Sequence, residues 1–547
     1  MTSLKGLAEL LVAFSLASGA VAQPSPDAVR SAAHVKAHIT FLASDLLQGR
    51  ETGSPGYDIA ANYVAAQFAQ LGLKPAGVNG TYFQPVPLIA ARPVDEGRFV
   101  VRGRDGAEVK LVFGEDVIVG RPFGPAERRV SAPMVFVGFG VVAPERGRDD
   151  YRGLDVKGKI VVVLSGAPAG FQTEERAFYA SGRTKREQAT RRGAVGMMFV
   201  NLPADEKRRP FAEGRRAWQS WAMTWRNPDG TPNDTAPGTP SLGLISVQGA
   251  EKLFAGARAS YAKITAAAEK PKGDPPRFVL ARSLDVTLHM ESKEIESANV
   301  AGLIEGSDPR LREQVVVLSA HLDHVGVTPP INGDGINNGA LDNAAGIATT
   351  LEVARAFLES GKPPRRSILF LAVTGEEKGL LGAEYFARHP TAPAASLAAN
   401  VNLDMPILTY DFLDVVAFGA ERSTLGVAVQ RAAARSGVAL SPDPMPEEGL
   451  FTRSDHFRFV EAGVPSIFLM TGFQNGGEAQ FKGFLAGCYH KPCDDLSQPI
   501  NYAVGAKFAA INYEIAREIA DADARPVWNK GDFFGGKFAR PALIADR

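Results

Sequence analysis

The sequence predicts an α/β protein with a mainly parallel central sheet, helices on both of its faces, and a smaller β-rich module. Three observations carry this. Apolar runs alternate with helix-period segments from about residue 280 to 525. The runs Val315 to Leu318 and Ile368 to Val373 are continuously apolar and fit buried strands. Between about 130 and 277 the rhythm changes to short apolar pieces separated by Gly.

In chain order, residues 1–22 read as a signal peptide. Lys5 precedes the apolar segment Leu10 to Leu16, and Ala20-Val21-Ala22 gives a small-residue cleavage pattern before Gln23. The apolar part is too short for a membrane-spanning helix, which points to a secreted or periplasmic protein with no stable membrane span. Residues 23–129 begin the main domain. There Ala60, Val64, Phe68 and Leu71 recur at helical spacing, the Gly-rich turn GRETGSPGY precedes them, and Gly72 marks the stop. Phe99 to Val101 is strand-like.

Residues 130–277 form the β-rich module. The basic run around Lys185 reads as a solvated helix face, residues 202–240 as a long surface loop, and residues 269–277 as a linker. In the region 278–525, Ile347, Leu351, Ala354 and Leu358 lie on one helix face. NVNLD, VPSIFLM and a helix from Tyr502 to Ile519 complete the alternation. Residues 526–547, with Trp528, Phe533 and Phe534, show no period and read as a C-terminal tail.

Composition narrows the classes. A chain of 547 residues implies two or three domains. With 60 basic and 60 acidic residues there is no charged stripe to hold nucleic acid. Cys488 and Cys493 are the sole cysteines, and a close pair in a secreted chain suggests a disulfide, two free buried thiols being the alternative.

The chemistry gathers at strand ends, where ligands sit in open parallel sheets. The Val315 run ends in His321 and Asp323, and the Ile368 run in Glu376 and Glu377. Asp342 opens a helix, NVNLD ends in Asp404, and CYHKPCDD carries His490. Two histidines and three carboxylates fill two four-coordinate zinc sites if one carboxylate bridges, and the central Asp342 is the natural bridge. Two dications are then balanced by Asp342, Glu377, Asp404 and one hydroxide, so the cluster tolerates partial burial. Asp323, two residues after His321, is placed to accept the ring N–H of His321 and orient it. Adjacent extended residues point opposite ways, so one of Glu376 and Glu377 ligates while the other faces the bridging water as general base. Tyr489, beside His490, is placed to donate to an oxyanion.

AHLDHVG, GALDNAAG, TGEEKGLLG, NVNLD, RSDHFRF and CYHKPCDDL together resemble the secreted co-catalytic dizinc aminopeptidases. That group also includes glutamate carboxypeptidase and glutaminyl cyclase relatives. FLASDLLQGRETGSPG resembles the group's N-terminal portion, and residues 130–277, most clearly DVKGKIVVVL, its inserted protease-associated domain. The resemblance implies the zinc exopeptidase fold and two Zn²⁺ per chain. His321 and Asp404 would hold one ion, Glu377 and His490 the other, with Asp342 shared and Glu376 as general acid/base. It implies a cis peptide at Asp342-Asn343 and an oxyanion role for Tyr489. Asp455 and His456 match an SDH element read as structural or substrate-side. His324 is left without a role, and His34, His38, His289 and His389 are read as structural. The expected activity is removal of N-terminal residues from peptides. Carboxypeptidase or dipeptidase action, glutaminyl cyclisation and a non-catalytic binding role are the alternatives.

Overall fold

The computed structural model describes residues 26–216, 218–540 and 543–545; the expected signal peptide, residues 1–22, lies outside them. Among the described residues, no helix is long and apolar enough to cross a membrane.

Four parallel strands form the centre. Val315–His321 lies between Ser367–Val373 and Leu397–Leu403, and Ser466–Thr471 follows Leu397–Leu403. Every residue of these four strands is buried, as expected when helices cover both faces. Alternate residues face alternate cores. Val316, Leu318, Ile368 and Phe370 pack into one cluster, and Val315, Val317, Leu369 and Leu371 into another. The first face is closed by Pro26–Leu42, Ala345–Glu359, Leu425–Arg435 and Tyr502–Asp521. The second is closed through Ala383, Phe386 and Phe459. The sheet becomes antiparallel at its flanks, through Asp414–Phe418 on one side and Phe278–Ile304 on the other.

The strand Phe278–Ile304 links two cores. Its end, Val300 to Ile304, pairs with Ser367–Val373. Its beginning pairs with Arg98–Gly103 and Glu127–Phe136. Around that beginning lies a separate core that includes Phe99, Val162, Met198, Ile245 and Leu288. Here Glu127–Phe136, Ile160–Leu164, Gly196–Val200 and Ser241–Ile245 run parallel.

Local signals explain the N-terminal helix Pro55–Leu71. The Ser54 side chain accepts from the Tyr57 N–H, Pro55 opens the helix, and Gly72 closes it at φ 84°.

Several expectations are corrected by long-range contacts. Lys185 is not solvated: it is 1% exposed, and its ammonium donates to the carbonyls of Leu164 and Gly166 at 2.8 and 2.5 Å. Burial pushes its pKa down to about 7. Residues 202–240 are not one loop. They hold helices Pro203–Arg208 and Phe211–Arg216 and the strand Ala222–Trp225, which pairs with Phe83–Pro93. Leu358 faces outward at 39% exposure, and Phe357 takes the inner position. In the tail, Trp528 and Phe534 are fully buried in the main core, and Trp528 Nε1 donates to Gly463 O at 3.0 Å.

Candidate metal centre

Five side chains that are far apart in sequence converge beyond the carboxyl ends of the parallel strands. His321 is the last residue of its strand, and Asp404 directly follows Leu397–Leu403. Glu376 and Glu377 follow Ser367–Val373. Asp342 lies in the turn Ala340–Ala344 before helix Ala345–Glu359, and its peptide bond to Asn343 is cis. His490, at φ 55°, lies in the loop after helix Gly477–Gly487.

Asp342 stands in the middle. Its Oδ1 is 3.1 Å from His321 Nε2, which is 3.0 Å from Asp404 Oδ1. Its Oδ2 is 3.2 Å from His490 Nε2, which is 3.1 Å from Glu377 Oε2. Donors 2.0–2.2 Å from one tetrahedral zinc ion stand about 3.3 Å apart. Both clusters match that spacing, so the residues present fit two such ions. The donor set of imidazole and carboxylate is also the one zinc takes in hydrolytic sites.

Hydrogen bonds hold several of these residues in place. His321 Nδ1 lies 3.0 Å from the backbone oxygen of Asp323. The expectation that the Asp323 carboxylate orients His321 is therefore corrected: the carbonyl does so. The carboxylate instead accepts from Thr52 Oγ1 at 3.0 Å and from the N–H groups of Glu376 and Glu377 at 3.1 and 3.3 Å. It thereby fixes the acidic loop to the histidine loop. Ser454 Oγ donates to Asp404 Oδ2 at 2.6 Å. Asp494 accepts the N–H groups of Leu341 and Asp342 at 2.9 and 3.0 Å. Asn343 Nδ2 donates to Leu403 O at 2.9 Å.

Arg50 braces the same loops from behind. Its guanidinium is buried and donates to the carbonyls of Leu322, Asn338 and Gly339 at 2.9, 2.6 and 3.1 Å, and to that of Leu42. Arg50, Thr52, Ser454 and Asp494 were visible in the strings GRETG, RSDH and CDD, but no spacing rule assigned them these partners.

The electrostatics follow from crowding acids in a buried place. Burial alone would lower His321, but the charges of Asp404 and Glu376 and hydrogen bonds to Asp342 and Asp404 raise it well above its ordinary value. His490 is likewise raised to about 10, its bonds to Asp342 and Glu377 outweighing burial. Against burial, the two histidines hold Asp342 well below the usual carboxylate range. Glu377 falls to about 2, through His324 and His490, although burial and Asp342 oppose this. Glu376 moves the other way. Burial raises it well above its ordinary value, His321 opposes, and Glu377, Asp404 and Asp455 add to the rise.

A cavity of about 250 Å³ opens on the cluster. Asp342, Glu376, Asp404, Tyr489 and His490 line its polar part; Leu450, Phe468, Met470, Phe481 and Leu485 line the apolar part; Glu448 and Arg453 border it. The Tyr489 ring stacks on His490 with centroids 3.8 Å apart. Cys488 and Cys493 are disulfide-bonded around both. Asp455 and His456 are both fully buried, with His456 packed against Phe451 and Phe468. A larger hollow of about 620 Å³ belongs to the second core and is lined by Arg208, Arg209 and Trp218, with no histidine.

Residues 299–516 match peptidase family M28, and that span holds all five converging side chains and Glu376. The chain is 31% identical over 222 residues to leupeptin-inactivating enzyme 1 of Streptomyces exfoliatus, covering 38% of this chain and 46% of that protein. It is 30% identical over 203 residues to a probable leucine aminopeptidase 2 of Aspergillus oryzae, covering 35% and 37%. The chain thus spans less than half the length of these two relatives. Among solved structures it is similar to an aminopeptidase from Aneurinibacillus sp. strain AM-1, with a TM-score of 0.53 and 19% identity over 91% of this chain and 96% of that one. That likeness shows the fold.

Proposed function

We propose, from the premise that residues 299–516 form a peptidase family M28 domain, that this protein is a zinc-dependent aminopeptidase with two ions per chain. The observation that carries it is the two-sided use of Asp342, whose oxygens face His321 with Asp404 on one side and His490 with Glu377 on the other. His321 and Asp404 would hold one ion and Glu377 and His490 the second, with Asp342 shared. When bound, zinc supplies Lewis-acid polarisation of the scissile carbonyl and brings the pKa of water toward neutrality.

The chain's own groups do the rest. Glu376 takes a proton from the attacking water and returns it to the leaving amine. Its raised pKa suits a carboxyl that must hold a proton between those steps. Tyr489 borders the same cavity and supplies a hydroxyl toward the developing oxyanion. The small apolar hollow beside the acids suits one side chain at the end of a peptide, which favours an exopeptidase over an endopeptidase. Digestion of a peptide library read by mass spectrometry tests this. Stepwise loss of N-terminal residues, abolished by chelator, is expected, and internal cleavage refutes it.

Carboxypeptidase action is the second reading, and Arg453 is its observation. Arg453 borders the cavity and pairs with Glu448 at 3.3 Å, so it offers a cation to a substrate carboxylate. Trimming from the C-terminus in the same digest, lost in Arg453→Ala, would establish that reading instead. The protease-associated assignment of residues 130–277 belongs with this proposal. Helix Thr173–Ala180 packs on the short turns Pro446–Glu448 and Leu450–Thr452, which border the cavity, so the module is placed to limit substrate size. The disulfide supports an oxidising compartment, secreted or periplasmic.

A further inference from the structure

His324 has no part in the reading above, and the inference that follows rests on that reading. Its side chain is fully buried. Its Nδ1 is 2.8 Å from Glu377 Oε1 and 3.9 Å from Asp342 Oδ2, and these three residues form a compact donor group. Yet neither ring nitrogen of His324, nor Glu377 Oε1, has a hydrogen-bond partner among the described residues. A buried polar atom left unsatisfied carries a desolvation penalty. Here two such atoms lie side by side at ion-pair distance, and together with Asp342 they form a group whose ligand atoms stand close enough to share one cation.

We propose that His324 is a third imidazole of the metal centre and ligates, through Nδ1, the ion held by Glu377 and His490.

The surroundings hold the ring for that task. The backbone N–H of His324 donates to Arg50 O at 3.2 Å. Gly339 sits at φ 62°, where a Cβ would stand 2.7 Å from His324 Cγ, so only glycine leaves the ring its place. His490 and His324 approach Glu377 from its two oxygens, and their rings meet edge to face at 5.6 Å. The two sites are therefore unequal. Asp342 and Asp404 share one ion with a single imidazole, whereas Asp342 and Glu377 share theirs with two. The nitrogen-richer site favours zinc over magnesium or manganese.

Zinc X-ray absorption on the full chain, stripped with chelator and reloaded, tests this. Three imidazoles distributed over two ions are expected in the native protein, and two in His324→Gln. Competition with a chromophoric chelator should show the second zinc weakened in His324→Gln by more than the roughly 10–100-fold that loss of an orienting partner costs. Equal unfolding temperatures of variant and native protein in chelator would assign the loss to the metal rather than the fold; if the variant does not fold, the native spectrum decides alone. A native spectrum with two imidazoles, or a variant whose second zinc binds as tightly as in the native protein, overturns the proposal. Aminoacyl-anilide hydrolysis surviving in that case would leave the aminopeptidase reading intact, whereas a native protein that retains no zinc fells both.

Discussion

Replacing Arg50 by Met should loosen the loops that carry His321 and Asp342 while leaving every expected ligand in place. The magnitude follows from its contacts. One guanidinium serves the carbonyls of Leu42, Leu322, Asn338 and Gly339, all within the buried interior. Methionine fills a similar stem volume but donates nothing. At the lower end of about 1 kcal/mol for each unsatisfied carbonyl, the loss is about 4 kcal/mol. Relief from burying a cation offsets part of this. Burial lowers Arg50 to about 10, while Asp494, Asp323, Asp342 and Glu377 pull against it. The net falls at about 3 kcal/mol. Native-state hydrogen exchange read by mass spectrometry localises the effect. Peptides spanning residues 315–345 should exchange roughly two orders of magnitude faster, about tenfold for each 1.4 kcal/mol. Arg50→Lys, which keeps the charge but not the planar fork, should fall between. Exchange within tenfold of native in Arg50→Met would refute the idea that this side chain braces the centre.

Glu376→Gln should lower kcat by several powers of ten with zinc content unchanged by plasma emission; full activity would remove Glu376 from proton transfer. His456 is held near 3 by burial, against 6.5 when unfolded. Its pKa is depressed on folding, so its contribution to stability is complete above 6.5 and is lost as pH falls toward 3. Native urea midpoints should therefore drop between pH 6.5 and 4 at about 1.4 kcal/mol per unit from this group, and His456→Leu should flatten that slope; equal slopes would contradict the assignment. Serine at both Cys488 and Cys493 should cost roughly 2 kcal/mol on loop length alone, and should release zinc faster because His490 lies inside the loop. Unchanged zinc retention in that variant would show that the bridge does not position His490.

The parallel centre was legible because two of its strands carry the apolar runs Val315 to Leu318 and Ile368 to Val373, and such runs exclude solvent on both faces. The proposed metal residues stand out for a related reason. His321, Asp404 and the Glu376–Glu377 pair each end an apolar run, so their polarity stands out against what precedes them. Other features were hidden because their partners come from distant segments. Lys185 looks solvated until the carbonyls of Leu164 and Gly166 enclose its ammonium. Trp528 looks like tail until Gly463 accepts its ring N–H inside the core.

The sequence by itself determined which chemical groups are present, where strands end, and that acids and imidazoles stand at those ends. Periodicity and side-chain chemistry are local properties, so a linear reading reaches them. Only the tertiary structure decided which oxygen of Asp342 faces which histidine, that the Asp323 carbonyl rather than its carboxylate meets His321, and that Arg50 and His324 stand behind and beside these residues. Those are matters of direction at about 3 Å, set by how loops from separate strands pack together, and hydrogen bonds and metal bonds both fall away steeply when direction is lost.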